Sequence, residues 1–357
     1  MNNEHEHSHL EVNEISTKTK ASMHTRIVAA IVMIATIIPA VFLGGWIFFV
    51  LLLSAISFAV YEMIHATKKK YRWYVWVFTY LVVFSYIYWF VLKANFLEYQ
   101  MCKAAGQTFS FSLENYYSGI QISPISMAVA LGVYSLIGVL DKNFDFADVA
   151  YFMFVTLLLG LGFQSFFFLR YYPFYLFAHN DNFSSIEWLP SCTGKGLLDL
   201  WQFRYFWSVA LFFMMLTSAT LSDAFAYFGG VFFGKHKMNP RISPNKTWEG
   251  FWFGVIGGIL STFAIGISMA AAGYPVLPTL DLAHWYWILV LAIVGTFAGV
   301  LGDLTLSMIK RHYGVKDYGT LIPGHGGVMD RIDSNIFTSI GMAVILVFIT
   351  NGWNFAL

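Results

Sequence analysis

Charged residues are scarce in this chain: Asp, Glu, Lys and Arg make up 11% of its 357 residues, whereas 58% are hydrophobic. A soluble protein of this length needs more polar surface, and several apolar runs are long enough to span a bilayer. We therefore predict an integral membrane protein. The net charge of +1 also lacks the clustered basic excess of a nucleic-acid-binding protein, which argues against nucleic acid as a partner.

Cysteine is nearly absent. Cys102 and Cys192 are too few for a disulfide framework or a zinc site, and we expect no bridge between them. The first 25 residues lack the basic start and short apolar core of a cleaved signal peptide, so we expect a disordered cytoplasmic tail over 1–25. The HEHSH run in this tail is compatible with metal capture, but a solvated terminal segment is the favoured interpretation.

Hydropathy predicts an all-α, polytopic membrane protein with about nine transmembrane helices. The expected spans are 27–43, 45–64, 73–92, 124–140, 147–169, 205–233, 248–272, 285–309 and 334–350. If the N-terminus is cytoplasmic, 16 of the 21 Lys and Arg residues lie on that side, and the other five are Lys93, Lys103, Arg170, Lys195 and Arg204. The positive-inside rule then supports a cytoplasmic N-terminus and an external C-terminus. We expect an N-terminal multi-spanning region over 26–204 and a catalytic transmembrane region over 205–357.

The segment from Asp303 to Asp333 concentrates the polar chemistry that the rest of the chain lacks. Its charged residues include Asp303, Lys310, Arg311, Lys316, Asp317, Asp330, Arg331 and Asp333. Asp303, Ser307 and Lys310, at i, i+4 and i+7, share one helix face. Because Mg²⁺ is commonly held by one or two carboxylates plus substrate phosphates, Asp303 and Asp330 are the predicted metal ligands, with a second divalent ion left open.

A glycine-rich turn, Pro323–Gly327, lies inside this segment. Gly326 and Gly327 permit positive φ and a close backbone approach, the geometry in which successive N–H groups cradle phosphate oxygens. Basic residues on both sides of the turn favour a polyphosphate ligand over a plain turn. His325 has three open roles: general acid or base, phosphate donor, or turn residue.

A second polar segment, residues 235–249, is expected on the same side. Ser243, Asn245 and Lys246 precede a predicted helix N-terminus, where backbone N–H groups favour an anion. A basic loop that only signals topology is the alternative, and phosphate or base contact is favoured. Just upstream, Asp223 lies in an apolar run, at a cost of about 2.5–3.5 kcal/mol on insertion scales. We expect a functional carboxylate there, with Tyr227 as its candidate partner.

These motifs resemble the signature of the phosphatidate cytidylyltransferases, the CDP-diacylglycerol synthases. The matching residues are Ser307, Lys310-Arg311, Lys316-Asp317, Leu321 to Gly327, and Asp330-Arg331-Ile332-Asp333. The upstream segments SDAFAYFGG and ISPNKTWEG are also similar to that family, although many members carry Lys where Asn245 stands. The resemblance covers about 220–335.

The resemblance implies that the phosphate of phosphatidic acid attacks the α-phosphorus of CTP, which releases pyrophosphate. Asp303 and Asp330 would hold Mg²⁺, and Asp223 and Asp333 would support the site. The phosphate- and nucleotide-binding residues would be Ser243, Asn245, Lys246, Lys310, Arg311, Lys316, Gly326, Gly327 and Arg331. The attacking phosphate is already largely ionised near pH 7, so His325 is not required as a strong base.

The implied partners are CTP, phosphatidic acid and membrane lipids, with the site at the cytoplasmic interface. We expect a bacterial plasma (inner) membrane, with the endoplasmic reticulum as the alternative. The sequence leaves the oligomeric state open, a homodimer included. Glycines of the catalytic spans have a spacing typical of close helix packing: Gly254, Gly257, Gly258, Gly295, Gly299 and Gly302.

Two other functions compete with this interpretation. A CTP-dependent polyprenol or phytol kinase would transfer the γ-phosphoryl group to a lipid alcohol and release CDP. An ion-coupled transporter would use Asp223 and Asp303 along an ion path, but it should show repeated halves with broken helices, and no such repeat is evident. The complete signature through Asp333 favours the cytidylyltransferase.

Overall fold

The computed structural model describes residues 17–104, 122–179, 206–239, 241–273, 276–277 and 280–351. Residues 1–16 of the expected tail, most of the predicted external segments 93–122 and 170–204, and Cys192 lie outside the described residues. Residues 17–25 are helical, so the expectation of a disordered tail is wrong for that part. Within those ranges the chain forms nine α-helices and one two-stranded hairpin, which confirms the predicted all-α membrane fold.

Each predicted span corresponds to one helix. The elements are α1 Thr17–Leu43, α2 Gly45–Ala66, α3 Trp73–Ala104, α4 Ile122–Leu140, α5 Phe146–His179, α6 Phe206–Phe233, β1 Lys237–Asn239, β2 Ser243–Thr247, α7 Trp248–Ala271, α8 Trp285–His312 and α9 Met329–Asn351. Seven of the described helices are long and apolar enough to cross a membrane, and α3 and α4 contain shorter apolar stretches.

The charged connections meet at one end of the bundle. Lys68, in the α2–α3 connection, donates to the carbonyl of Gly314 after α8 at 2.9 Å. Lys69 Nζ lies 2.9 Å from the carboxylate of Asp148 at the start of α5. Arg311 Nε donates to the carbonyl of Ile242 in the β1–β2 hairpin at 3.2 Å. The hairpin and the 303–333 segment therefore share one side, as predicted.

Glycines bring the catalytic helices into close contact. A Cβ on Gly254 of α7 would lie 2.7 Å from the Cβ of Ala226 in α6. A Cβ on Gly258 would lie 2.7 Å from Thr296 Cγ2 in α8 and 2.9 Å from Ser222 Cβ in α6. Such contacts leave no room for a side chain, so the predicted role of these glycines in close packing is confirmed.

The hairpin was not anticipated from the sequence, because its short strands lack an alternating apolar pattern. β1 and β2 are antiparallel, with Lys237 opposite Thr247 and Asn239 opposite Ser243. Thr247 then caps α7 by accepting a hydrogen bond from the N–H of Gly250 at 3.1 Å. The hairpin and this cap together fix the position of Lys246.

Candidate active site

The predicted polar stripe on α8 is present, and the hairpin reaches it. Ser307 Oγ donates to Asp303 Oδ1 at 3.3 Å, which places these two side chains on one helix face. Lys246 of β2 forms an ion pair with Asp303 Oδ2. The two segments that the sequence identified separately thus form one site.

Lys310 links α8 to α9. Its Nζ lies 2.9 Å from Asp330 Oδ1 and 4.0 Å from Asp333 Oδ2, and the ammonium sits 5.3 Å from the centre of the Tyr318 ring. Lys310 and Asp330 are both buried, with 8% and 7% of their surfaces exposed. Because a buried charge is costly without a partner, the pair fixes the start of α9 against the end of α8.

Asp330 also organises the glycine turn. Its Oδ2 accepts hydrogen bonds from the N–H of Tyr318 at 2.8 Å and of Gly327 at 3.0 Å. Gly324 and Gly326 have φ of 75° and 86°, the left-handed region that glycine adopts without strain. The N–H of Gly327 is thus engaged by a protein carboxylate in this arrangement, and the phosphate-binding role of Gly326 and Gly327 stays a prediction.

Asp223 of α6 faces the same space as the α8 and α9 carboxylates. Ser334 Oγ donates to Asp223 Oδ2 at 3.4 Å, while the Ser334 N–H donates to Asp333 Oδ1 at 2.8 Å. The charges of Asp303 and Asp333 are near enough to act on Asp223. The expected partner, Tyr227, is wrong: its side chain is 67% exposed and its ring packs on Phe228. The hydrogen-bond partner of Asp223 is instead Ser334, which belongs to α9.

The remaining predicted site residues differ in their contacts and exposure. The guanidinium of Arg311 is directed to backbone carbonyls, those of Ile242 and Val315. Asn245, Lys316 and Arg331 are exposed, and Ser243 is half-buried on β2. Their roles in binding stay predictions.

His325 is half-buried in the glycine turn. Its N–H donates to the carbonyl of Ile322 at 2.9 Å, and a backbone bridge pairs Ile322 with Gly326. The ring Nδ1 is buried and finds no partner among the described residues. The turn role is therefore visible, and the acid–base and phosphate-donor roles stay open.

Glu62 of α2 is a residue that the sequence reasoning missed. It is 3% exposed, and its two carboxylate oxygens accept the N–H groups of Val328 at 2.9 Å and Met329 at 2.8 Å. It thereby satisfies free N–H donors at the start of α9 from another helix. A Cβ on Gly327 would collide with this carboxylate. The signal was available, since an ionisable residue inside a span indicates a specific partner.

The predicted metal ligands, Asp303 and Asp330, are carboxylates, the ligand type that Mg²⁺ prefers. Within the described residues, no three His, Cys, Asp or Glu side chains converge on a metal position. A zinc site would need such a group, whereas Mg²⁺ is usually held by one or two carboxylates and substrate phosphates. Asp303 and Asp330 each form an ion pair with a lysine, and their role as Mg²⁺ ligands stays a prediction.

Comparison with known proteins gives a consistent result. The Cytidylyltransferase family profile matches residues 24–349. The chain is 34% identical over 238 residues to a phosphatidate cytidylyltransferase of Staphylococcus haemolyticus, which covers 66% of this chain and 73% of that protein. It is 44% identical over 128 residues to one from Staphylococcus epidermidis, covering 36% of this chain and 45% of that protein.

A plant relative matches a shorter region. Phosphatidate cytidylyltransferase 5, chloroplastic, of Arabidopsis thaliana is 42% identical over 134 residues, covering 37% of this chain and 31% of that protein. The family profile spans more than half of the chain and includes every residue of the site described above. The chain therefore belongs to the cytidylyltransferase family and is a membrane-embedded nucleotidyltransferase.

Proposed function

We propose that this enzyme transfers the cytidylyl group of CTP to phosphatidic acid, giving CDP-diacylglycerol and pyrophosphate. Family membership and the names of the relatives support this reaction. The observation that carries it is the charged centre built by Lys246, Asp303, Lys310, Asp330 and Asp333 at the end of an otherwise apolar bundle. That location suits a lipid phosphate held in the bilayer and a nucleotide arriving from water.

The chemistry depends mainly on positioning and charge neutralisation. A phosphate oxygen of phosphatidic acid forms a bond to the α-phosphorus of CTP, and the bond from that phosphorus to the β-phosphate oxygen breaks. Lys246 and Lys310, which pair with Asp303 and Asp330, would neutralise phosphate charge. Since the attacking oxygen is already ionised near pH 7, no side chain has to remove a proton.

Asp303 and Asp330 would hold Mg²⁺ here, and the ion would supply neutralisation of charge on phosphate oxygens. Asp223 and Asp333, which both accept hydrogen bonds from Ser334, would support the site. Asp330 has a second role that needs no metal, because it fixes the glycine turn through the amides of Tyr318 and Gly327.

We place the site at the cytoplasmic face of a bacterial plasma membrane. The positive-inside count supports this side, and the staphylococcal relatives support this membrane. A C-terminal tag found in the cytoplasm would contradict the topology. Assembly as a homodimer stays a prediction, which the mass of the detergent-solubilised protein would test.

Product analysis tests the function directly. Purified protein in detergent, given CTP, Mg²⁺ and phosphatidic acid, should release pyrophosphate and form a liponucleotide, and chelation of the metal should stop both. Formation of CDP together with a phosphorylated lipid alcohol would instead identify a CTP-dependent kinase. Asp303→Asn protein, purified in the same way, controls for contaminating activity.

A further inference from the structure

A cavity lies between α5, the hairpin and the end of α8. Its volume is about 660 Å³, within the usual range of small-molecule sites. The lining residues that matter are Ala150 and Phe154 of α5, Arg241 of the hairpin, and Met308, Arg311 and His312 of α8.

This cavity lies across α8 from the stripe formed by Asp303 and Lys310, although Arg311, one of the predicted phosphate-binding residues, also lines it. At 3.6 residues per turn, Thr305, Met308 and His312 lie on the face of α8 opposite Asp303 and Lys310. Residues of α5, from the N-terminal region, form the other wall, whereas the catalytic carboxylates come from α6, α8 and α9.

The lining combines apolar and basic side chains. Phe154, Met308 and Ile309 supply apolar surface, and none of the described lining residues is acidic. Arg241 is exposed and has no acceptor among the described residues. Arg311 uses Nε and one terminal nitrogen for backbone carbonyls, which leaves its other terminal nitrogen available.

We propose that this cavity binds an anionic phospholipid. The phosphodiester would lie at Arg241, Arg311 and His312. The part of the acyl chains nearest the headgroup would pack on Phe154 and Met308. Charge complementarity selects the anionic head, since Arg241, Arg311 and His312 line the cavity and none of the described lining residues is acidic. The apolar wall selects a lipid over a free phosphate, which would leave that surface wet. The site does not depend on the reaction proposed above.

Binding of phosphatidylglycerol to the purified full-length protein, measured by native mass spectrometry, tests this proposal. This lipid lacks the terminal phosphate monoester of phosphatidic acid, so its binding is read independently of turnover. We expect one saturable site with at least fivefold preference over phosphatidylcholine of the same chains. Arg241→Ala with His312→Ala should reduce the affinity for phosphatidylglycerol at least fivefold, to the level of phosphatidylcholine.

A second variant attacks the apolar part of the cavity. Ala150→Trp fills the space beside Phe154 without changing charge, and we expect at least fivefold weaker binding. Lys237→Ala is the matched control, because Lys237 is an exposed base in the same hairpin that does not line the cavity. Its affinity should stay within twofold. Unchanged melting temperatures show that each variant is folded.

Three results would overturn the proposal. One is equal affinity for the two lipids. Another is full-strength phosphatidylglycerol binding in both the double variant and Ala150→Trp. The third is displacement of phosphatidylglycerol by millimolar inorganic phosphate, which would show an anion site with no requirement for a lipid.

Discussion

Helices α1–α5 and helices α6–α9 bury different kinds of side chain. Among the largest fully buried side chains, Tyr86, Phe152 and Phe163 belong to the first group of helices. In α7, by contrast, Gly254 and Gly258 are among the buried residues. Large rings hold helices apart and fill the space between them, whereas glycines bring the backbones together. The carboxylates proposed to be catalytic therefore stand on helices that glycines allow to pack closely.

The two groups of helices also differ in where their polar contacts lie. In the first region they form a belt at the charged end, where Lys69 pairs with Asp148 and Tyr74 donates to Asp141. In the second region, the ion pairs that Asp303 and Asp330 form with lysines belong to one centre. Glu62 is the exception, because a residue of α2 holds the first amides of α9. We infer that α1–α5 support the helices of the site and that Glu62 connects this support to the start of α9.

Removing a catalytic charge should give the largest effect. Asp303→Asn keeps the shape but removes the negative charge that pairs with Lys246 and is predicted to hold Mg²⁺. We expect at least ~1,000-fold lower kcat for CDP-diacylglycerol formation, with a folded protein. Asp330→Asn should be as severe and should also lower the melting temperature, since its carboxylate binds two backbone amides. Near-full activity in either variant would refute the metal assignment.

Breaking the close packing should come next. Gly258→Val places a side chain where Thr296 and Ser222 already lie, and overpacking typically costs about 1–3 kcal/mol. We expect a lower melting temperature and at least tenfold lower activity, because α8 carries Asp303. The matched control is Gly132→Val in α4, where an added Cβ has nothing within 4 Å. Equal effects of the two changes would mean that the close contact at Gly258 is not what the valine disrupts.

Glu62 tests whether the N-terminal region only supports the site. Glu62→Gln replaces one acceptor oxygen with an N–H donor that faces another donor, at a cost of roughly 1–3 kcal/mol. We expect about tenfold lower kcat with little change in the KM for CTP, because the glycine turn and the start of α9 lose their anchor.

Asp148→Asn provides the comparison for that variant. Asp148 is also a buried carboxylate of the N-terminal region, 2% exposed, but its partners are Lys69, Tyr71 and the backbone of Asp145. Its loss should lower the melting temperature and leave kcat within twofold. If Glu62→Gln behaved like Asp148→Asn, Glu62 would be a structural residue with no influence on the reaction.

Features that depend on local sequence were predicted correctly. Span length and hydropathy are properties of short windows, so the nine helices follow from them. The helical period placed Asp303 and Ser307 on one face, and their hydrogen bond confirms it. The distribution of Lys and Arg predicted that segments 235–249 and 303–333 lie on the same side of the membrane. The ion pair between Lys246 and Asp303 joins these two segments in the structure.

Features that depend on tertiary placement were missed. Ser334 is the partner of Asp223 only because α9 packs against α6, and a partner sought one turn along the same helix was therefore wrong. The second role of Asp330 depends on how the turn folds back over the start of α9. Glu62 lies more than 260 residues before its partners, a separation that no local pattern spans.

The smallest effect is expected in the polar belt of the N-terminal region. Asp141 Oδ2 accepts a hydrogen bond from the Tyr74 hydroxyl at 2.6 Å, and Arg72 Nε lies 3.4 Å from the same oxygen. The hydrogen bond from Tyr74 holds the pKa of Asp141 below its ordinary value, with help from the N–H of Asn143 and the charge of Arg72. These contacts favour the ionised carboxylate in the folded protein.

Because the folded pKa is lower than the unfolded one, this contribution is fully present above about pH 4, the unfolded pKa of an aspartate, and is lost as pH falls through the folded value. Asp141→Asn should therefore lower the melting temperature slightly at pH 7, and the difference from the wild type should shrink on acidification. Tyr74→Phe, which removes the donor, should reproduce part of this pattern, and kcat should be unchanged in both. A loss of activity at pH 7 in either variant would show that the belt reaches the catalytic centre, against the division of roles drawn between the two groups of helices.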